Sequence, residues 1–209
     1  LGRVTRYAYD KLNRRTQMID ALGGISGVEY DAVGNVVAAS DALGRTTIYA
    51  YDNLNRRVLT TGPDPDGVGT GQAPQTIVAY DSVGNMIRVT DALGRETAYQ
   101  YDDLNRLTTV ADVLGGTVST TYDAVGNLLA ITDPLGRVTE RVYDNLNRRI
   151  TEIGPDPDGA GTQQAAVTRY EYDSVGNLTR TTDGLGHVAI AQYDALNRVT
   201  QSIDALGAH

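Results

Sequence analysis

The chain has no cysteine, no phenylalanine and no tryptophan, and only two methionines and two histidines. Without cysteine there are no disulfides, no thiolate metal ligands and no cysteine nucleophile, and redox chemistry indicates no compartment. Without Phe and Trp the large anchors of an ordinary core are missing, although 209 residues is length enough to build one. No apolar run approaches the ~20 residues that span a bilayer as a helix. Positive charge is also scarce. Eighteen Lys and Arg against 26 Asp and Glu leave a net charge of −8, and such a chain lacks the clustered cations that neutralise phosphates, so nucleic acid is not an expected partner.

What is present is Gly, at 23 residues, and Tyr, at thirteen. Enriched Gly without enriched Pro suits frequent tight turns better than disorder. The dipeptide Tyr-Asp recurs at Tyr9, Tyr30, Tyr51, Tyr80, Tyr101, Tyr122, Tyr143, Tyr172 and Tyr193, at intervals of 21 residues except for two of 29. Eleven residues after seven of these comes Asp-x-Leu-Gly, beginning at Asp20, Asp41, Asp91, Asp112, Asp133, Asp183 and Asp204. Both halves share Asp-x-[Leu/Val]-[Gly/Asn], found sixteen times from Asn13 and Gly23 through to Asn197 and Gly207. An Asp at the first turn position bonds the backbone two residues on, and Gly or Asn at the fourth accepts a left-handed conformation, so each motif predicts a turn.

Between turns lie segments of five to seven residues such as RTTIYAY (45–51) and NVVAAS (35–40), rich in Val, Ile, Thr and Tyr. These are strand lengths and strand residues. The period of two puts Thr47, Tyr49 and Tyr51 on one face and Ile48 and Ala50 on the other, neither strongly apolar. The pattern predicts an all-β fold of about seventeen strands, in tandem antiparallel β-hairpin repeats forming a strongly curved, spiralling sheet, because open sheets of more than ~10 strands curl or close. Leu43, Val83 and Leu135, third in their turns, are expected to pack inward at the rim. The Tyr-Asp turns alternate between Asp-x-Leu-Asn-Arg (Asp52, Asp144) and Asp-x-Val-Gly-Asn (Asp81, Asp173), and residues from 51 on repeat at an offset of 92. That repetition includes loop inserts near 62–75 and 154–167, each carrying Gly-Pro-Asp-Pro-Asp-Gly. Residues 1–209 thus read as a single array of about nine 21-residue units. Leu1-Gly2-Arg3 opens inside the pattern, so no secretory leader is expected in this stretch and the chain is expected to be part of something longer.

The run Tyr30-Asp31-x-x-Gly34-Asn35, then Asp41-x-Leu43-Gly44-Arg45-x-Thr47, closing on Tyr49-x-Tyr51-Asp52, resembles the rearrangement-hotspot (Rhs) or YD repeat, and the resemblance covers essentially the whole chain. It implies an arc of a hollow, spiralling β-shell. Such shells occur in secreted bacterial toxins, where they enclose a toxic C-terminal domain, and in teneurin-like cell-surface adhesion proteins. The implied partners are flanking repeats and an enclosed C-terminal domain of the same protein, with a glycan or cell-surface protein as the alternative. Asp133-Pro134-Leu135-Gly136 is in register with Asp41-Ala42-Leu43-Gly44 and reads as a turn. No counterpart of the family's core box is found, so self-cleavage is not assigned.

No catalytic, cofactor-binding or metal-ligating residue is assigned. Asp64-Pro65-Asp66-Gly67 and Asp156-Pro157-Asp158-Gly159 begin like a calcium loop, but the twelfth positions are Gln75 and Val167, where such a loop needs a bidentate Glu; a solvated turn is expected. Gly67, Gly69 and Gly71 lack the following helix of a phosphate cradle. His187 takes the slot held by Arg45, Arg95 and Arg137, His209 ends the chain, and the two form neither a metal site nor a triad. The turn Asp residues are explained without acid/base catalysis. The pairs Tyr49/Tyr51 and Tyr99/Tyr101 suit sugar stacking, yet their spacing is that of the fold and cross-strand packing is the favoured role. Arg14-Arg15, Arg56-Arg57 and Arg148-Arg149 follow turns and are expected to pair with the turn Asp. Because repeat stability comes from neighbouring interfaces, the isolated segment is expected to self-associate.

Overall fold

The computed structural model describes residues 3–65, 71–159, 161 and 163–204, and all regular structure among them is β. The chain divides into two compact units, Leu1–Gln100 and Tyr101–His209. The first holds β1 (Arg6–Tyr9), β2 (Arg15–Ile19), β3 (Ile25–Tyr30), β4 (Val36–Ser40), β5 (Thr46–Tyr51), β6 (Arg57–Thr61), β7 (Gln75–Tyr80), β8 (Met86–Thr90) and β9 (Glu96–Tyr101), whose last residue opens the second unit. The second holds β10 (Leu107–Ala111), β11 (Thr117–Tyr122), β12 (Leu128–Thr132), β13 (Val138–Tyr143), β14 (Arg149–Ile153), β15 (Val167–Tyr172), β16 (Leu178–Thr182), β17 (Val188–Tyr193) and β18 (Val199–Ile203). Within each unit every strand pairs antiparallel with its sequence neighbours, an open meander.

The described residues form eighteen strands, against about seventeen expected. The two inserts are connections in their own right, joining β6 to β7 and β14 to β15, whereas the motif at Asp204 follows β18. Turn chemistry is as the motif demands. In the fifteen motif turns within the described residues the fourth residue has positive φ, 59–60° for five Asn and 75–105° for ten Gly. At Asp10 the Asn13 N–H donates to the Asp10 carbonyl (3.0 Å), and the Asp10 N–H donates to the Arg14 carbonyl (2.9 Å). One Asp10 carboxylate oxygen accepts from the N–H groups of Leu12 and Arg14, at 2.9 Å each. This is the three-residue hairpin loop with a left-handed closing residue.

Among the described residues none is buried. In each unit the sheet is a single layer, and its faces differ by what they carry. All thirteen Tyr lie last or third from last in odd-numbered strands, on the same side of the pleat. In β5 that side is half-buried at Thr47, Tyr49 and Tyr51, and the other is exposed at Thr46, Ile48 and Ala50.

Within each unit the Tyr-Asp turns fall on one edge of the meander, and the described Asp-x-Leu-Gly turns and the insert fall on the other. The expectation that Leu43, Val83 and Leu135 pack inward is wrong. They are 77%, 70% and 77% exposed. The Asp carboxylate fills the inside of each turn with its hydrogen bonds, which turns the side chain at the third position outward, and a single layer has nothing above the rim to receive it.

Candidate functional site

The two kinds of strand junction are built differently. Within a Tyr-Asp hairpin the ladder runs to the turn, with a bulge at the Tyr, as where Tyr30 pairs with Val36 but Glu29 pairs with Ala38. A bulge frees one residue from the ladder and adds local twist. Between successive hairpins the ladder has only three pairs, as Ala38, Ala39 and Ser40 with Ile48, Thr47 and Thr46, all close to the Asp-x-Leu-Gly rim. At the Tyr-Asp rim the backbone ladder has lapsed, and side chains take over.

Tyr is the first of these. The Tyr51 hydroxyl donates to the Val36 carbonyl (2.8 Å), Tyr143 to Leu128 (3.0 Å) and Tyr193 to Leu178 (3.0 Å), each supplying a donor where the ladder has none. Arg is the second. Arg14 donates Nε to Asp10 Oδ2 (2.7 Å) and Nη1 to the Asp31 carbonyl of the next turn (3.2 Å), and lies 4.6 Å over the Tyr30 ring. Arg56 over Tyr80, Arg106 over Tyr122 and Arg148 over Tyr172 repeat this at 4.7, 4.7 and 4.8 Å. Asn is the third. Asn35 donates to Asp31 Oδ2 and to Asn55 Oδ1 of the following turn, both at 2.9 Å. Asn127 reaches Asn147 (2.9 Å) and Asn177 reaches Asn197 (3.0 Å) in the same way. The alternation of turn types is thus a two-part latch: an Arg turn reaches forward to a Gly-Asn turn, and that Asn reaches forward to the next Arg turn.

The carboxylates are held ionised by this wiring. The backbone N–H of Arg14 and then its guanidinium keep Asp10 below the ordinary Asp value, and Asp52, Asp102 and Asp144 are lowered in the same way. For Asp41, Asp133 and Asp183 the side chain four residues on, Arg45, Arg137 or His187, is the leading cause. At Asp31, partial desolvation pushes up and is the largest single influence, but the Asn35 side chain and three backbone N–H groups outweigh it.

The remaining candidates sit apart from one another. His187 Nδ1 lies 2.8 Å from Asp183 Oδ2, in the Arg slot it was expected to fill; His209 lies outside the described residues. Asp156 accepts from the N–H groups of Asp158 (3.2 Å) and Gly159 (3.1 Å), and Asp158 accepts from Gln163 N–H (3.0 Å), so the second insert turns its carboxylates on its own backbone. Of the first insert, Asp66, Gly67 and Gly69 lie outside the described residues. Among the described residues no group of three or more acidic or His side chains is placed to hold a metal ion, and no helix is long and apolar enough to cross a membrane. Tyr49 carries Arg57 at 5.5 Å over its ring. The salt pairs expected of the double-Arg runs are present at Arg14, Arg56 and Arg148, each 2.7 Å from its turn Asp. Sequence reasoning missed the latch. Its signal was the 15-residue spacing from Tyr51 back to Val36, matched by Tyr122 back to Leu107, which places a phenol opposite a carbonyl beyond the end of the ladder between hairpins.

Fold and latch together define a tandem β-hairpin repeat array, a structural material with its chemistry invested in joining one repeat to the next. The RHS repeat model matches residues 1–25, 30–67, 80–117, 122–160 and 172–209, and the chain belongs to the RHS repeat family. No curated protein matches it in sequence. Similar solved structures include TcdB2-TccC3-Cdc42, with a TM-score of 0.61 and 16% identity over 96% of this chain and 13% of that one. TcdB2-TccC3 without its hypervariable C-terminal region gives 0.58 and 18%, over 96% and 13%. The Tc holotoxin pore of Photorhabdus luminescens gives 0.52 and 16%, over 97% and 15%. At these identities the likeness is one of fold, and the chain spans only a small fraction of the similar chains.

Proposed function

We infer that this chain is a structural segment, one continuous array of repeats in the wall of a β-shell that encloses or presents another domain of a larger, secreted protein, and that it acts by steric enclosure with no chemistry of its own. The observation that carries the reading is the single-layer sheet. It has no buried residue among the described ones, and the polar groups that recur from repeat to repeat bond one hairpin to the next. A layer wired this way is wall material: it extends by adding hairpins and needs no second layer. Enclosure follows if such a sheet continues through flanking repeats until it curls on itself.

The test is protease protection of the native full-length protein. A domain hidden by the shell stays intact while the shell is folded and is digested once acid or denaturant opens it. Digestion of every flanking domain at the same rate before and after opening would sink the enclosure reading. A surface adhesion array remains the rival of a different class. Tyr49→Ala combined with Tyr99→Ala is expected to lower the melting temperature and to leave glycan-array signals at background, as in the unaltered chain. Glycan binding by the unaltered chain that this folded variant lost would favour the rival.

A further inference from the structure

The two rims differ in chemistry. On the Tyr-Asp rim the residue before the exposed Leu or Val is most often polar or charged, as at Lys11, Asn53, Ser82 and Asp103. On the opposite rim the six described Asp-x-Leu-Gly tips are Ala-Leu, Ala-Leu, Ala-Leu, Val-Leu, Pro-Leu and Gly-Leu, without a single polar side chain at these two positions. Their leucines are also the barer ones. Leu22, Leu114 and Leu185 are 93%, 91% and 83% exposed, against 63–72% for the Leu and Val tips of the Tyr-Asp rim. Beside the inserts this apolar rim is grooved. In the first unit a groove of about 430 Å³ lies between Leu43 and the insert, lined by Ile48, Pro63 and Ala73, with Arg45 and Asp64 on it. In the second unit the equivalent groove, about 530 Å³, lies between Leu135 and Pro157, with Arg137 and Asp156 on it.

We propose that this rim is a docking edge whose occupant is the same rim of a second copy of the chain, tip leucines of one copy seating in the insert grooves of the other. Three features select that occupant. Tips recur every two strands, on the order of 10 Å apart, and only a surface with that same repeat keeps contact over several tips. Each groove carries an Arg and an Asp, and the second carries Glu140 as well, so a twofold arrangement sets the Arg of one copy against the carboxylates of the other. Each unit bears both the projecting leucine and the groove that receives it, which makes the edge self-complementary. The contact needs only a second rim of the same repeat, so it stands or falls independently of enclosure.

Sedimentation velocity of the full 209-residue chain, from micromolar to hundred-micromolar concentration, tests this. The unaltered chain is expected to dimerise. Leu43→Glu with Leu135→Glu should weaken dimerisation roughly tenfold or more, while Leu54→Glu with Leu146→Glu on the Tyr-Asp rim should leave it within about twofold, both with unchanged circular dichroism. Mixing the Leu43→Glu/Leu135→Glu protein with a Leu43→Lys/Leu135→Lys protein should restore association. A chain monomeric throughout, equal loss in both Glu variants, association untouched by either (pairing through the edge strands β1 and β18), or no recovery on mixing would each overturn the proposal.

Discussion

Gly44 and Ala42 sit two residues apart in one turn, and the backbone treats them differently. Gly44 has φ +75° with no atom within 4 Å of where a Cβ would stand, so a side chain there meets conformational strain and no clash. Gly44→Val is expected to cost roughly 1–2 kcal/mol and Ala42→Val markedly less; equal midpoints in urea for the two variants would refute the turn assignment. The turn carboxylates make a second residue-scale prediction. Their folded pKa values are depressed, so the stability they contribute is present above the unfolded Asp value near 4 and is lost as pH falls through the lower folded values. Among the lowered groups are Asp10, Asp41, Asp91 and Asp194. The chain is therefore expected to melt at falling temperature below about pH 4 and to change little between pH 6 and 8, as circular dichroism across that range will show.

A hairpin becomes a repeat through the latch to its neighbour. Near the Asp-x-Leu-Gly rim three backbone pairs suffice; at the Tyr-Asp rim a phenol, a guanidinium and an amide replace the missing ladder. The inserts show how local this device is. Tyr80 donates to the Arg57 carbonyl (3.2 Å) across 23 residues, and Tyr30 donates to Arg15 (3.0 Å) across 15, because the eight added residues are all accommodated at the far rim. Tyr143→Phe deletes only the hydroxyl donated to Leu128, and is expected to destabilise by about 0.5–1.5 kcal/mol. Tyr143→Ala, which also strips the half-buried ring from the Tyr face, should cost more. If Tyr143→Phe unfolded at the same denaturant concentration as the unaltered chain, the phenol would be packing alone.

A molecule built of latched hairpins with no buried residue among those described should carry a thermal signature of its own. Exposure of apolar surface dominates the heat capacity of unfolding, so calorimetry is expected to give less than about 12 cal/mol/K per residue, the lower end for globular proteins; a value inside the globular range would mean apolar burial on a scale this sheet lacks. Turn positions, strand identity, the Tyr-bearing face and the pairing of Arg with turn Asp were all legible in the linear chain, because each depends on contacts within about five residues or on the strand period of two. The latch of Tyr51 to Val36, the lapse of the ladder that calls for it, and the outward set of Leu43 and Leu135 were not. Those depend on which strands end up adjacent and on whether a second layer lies above them. A local motif dictates a turn wherever it occurs, whereas the environment of a side chain at that turn exists only once neighbouring hairpins have been laid side by side.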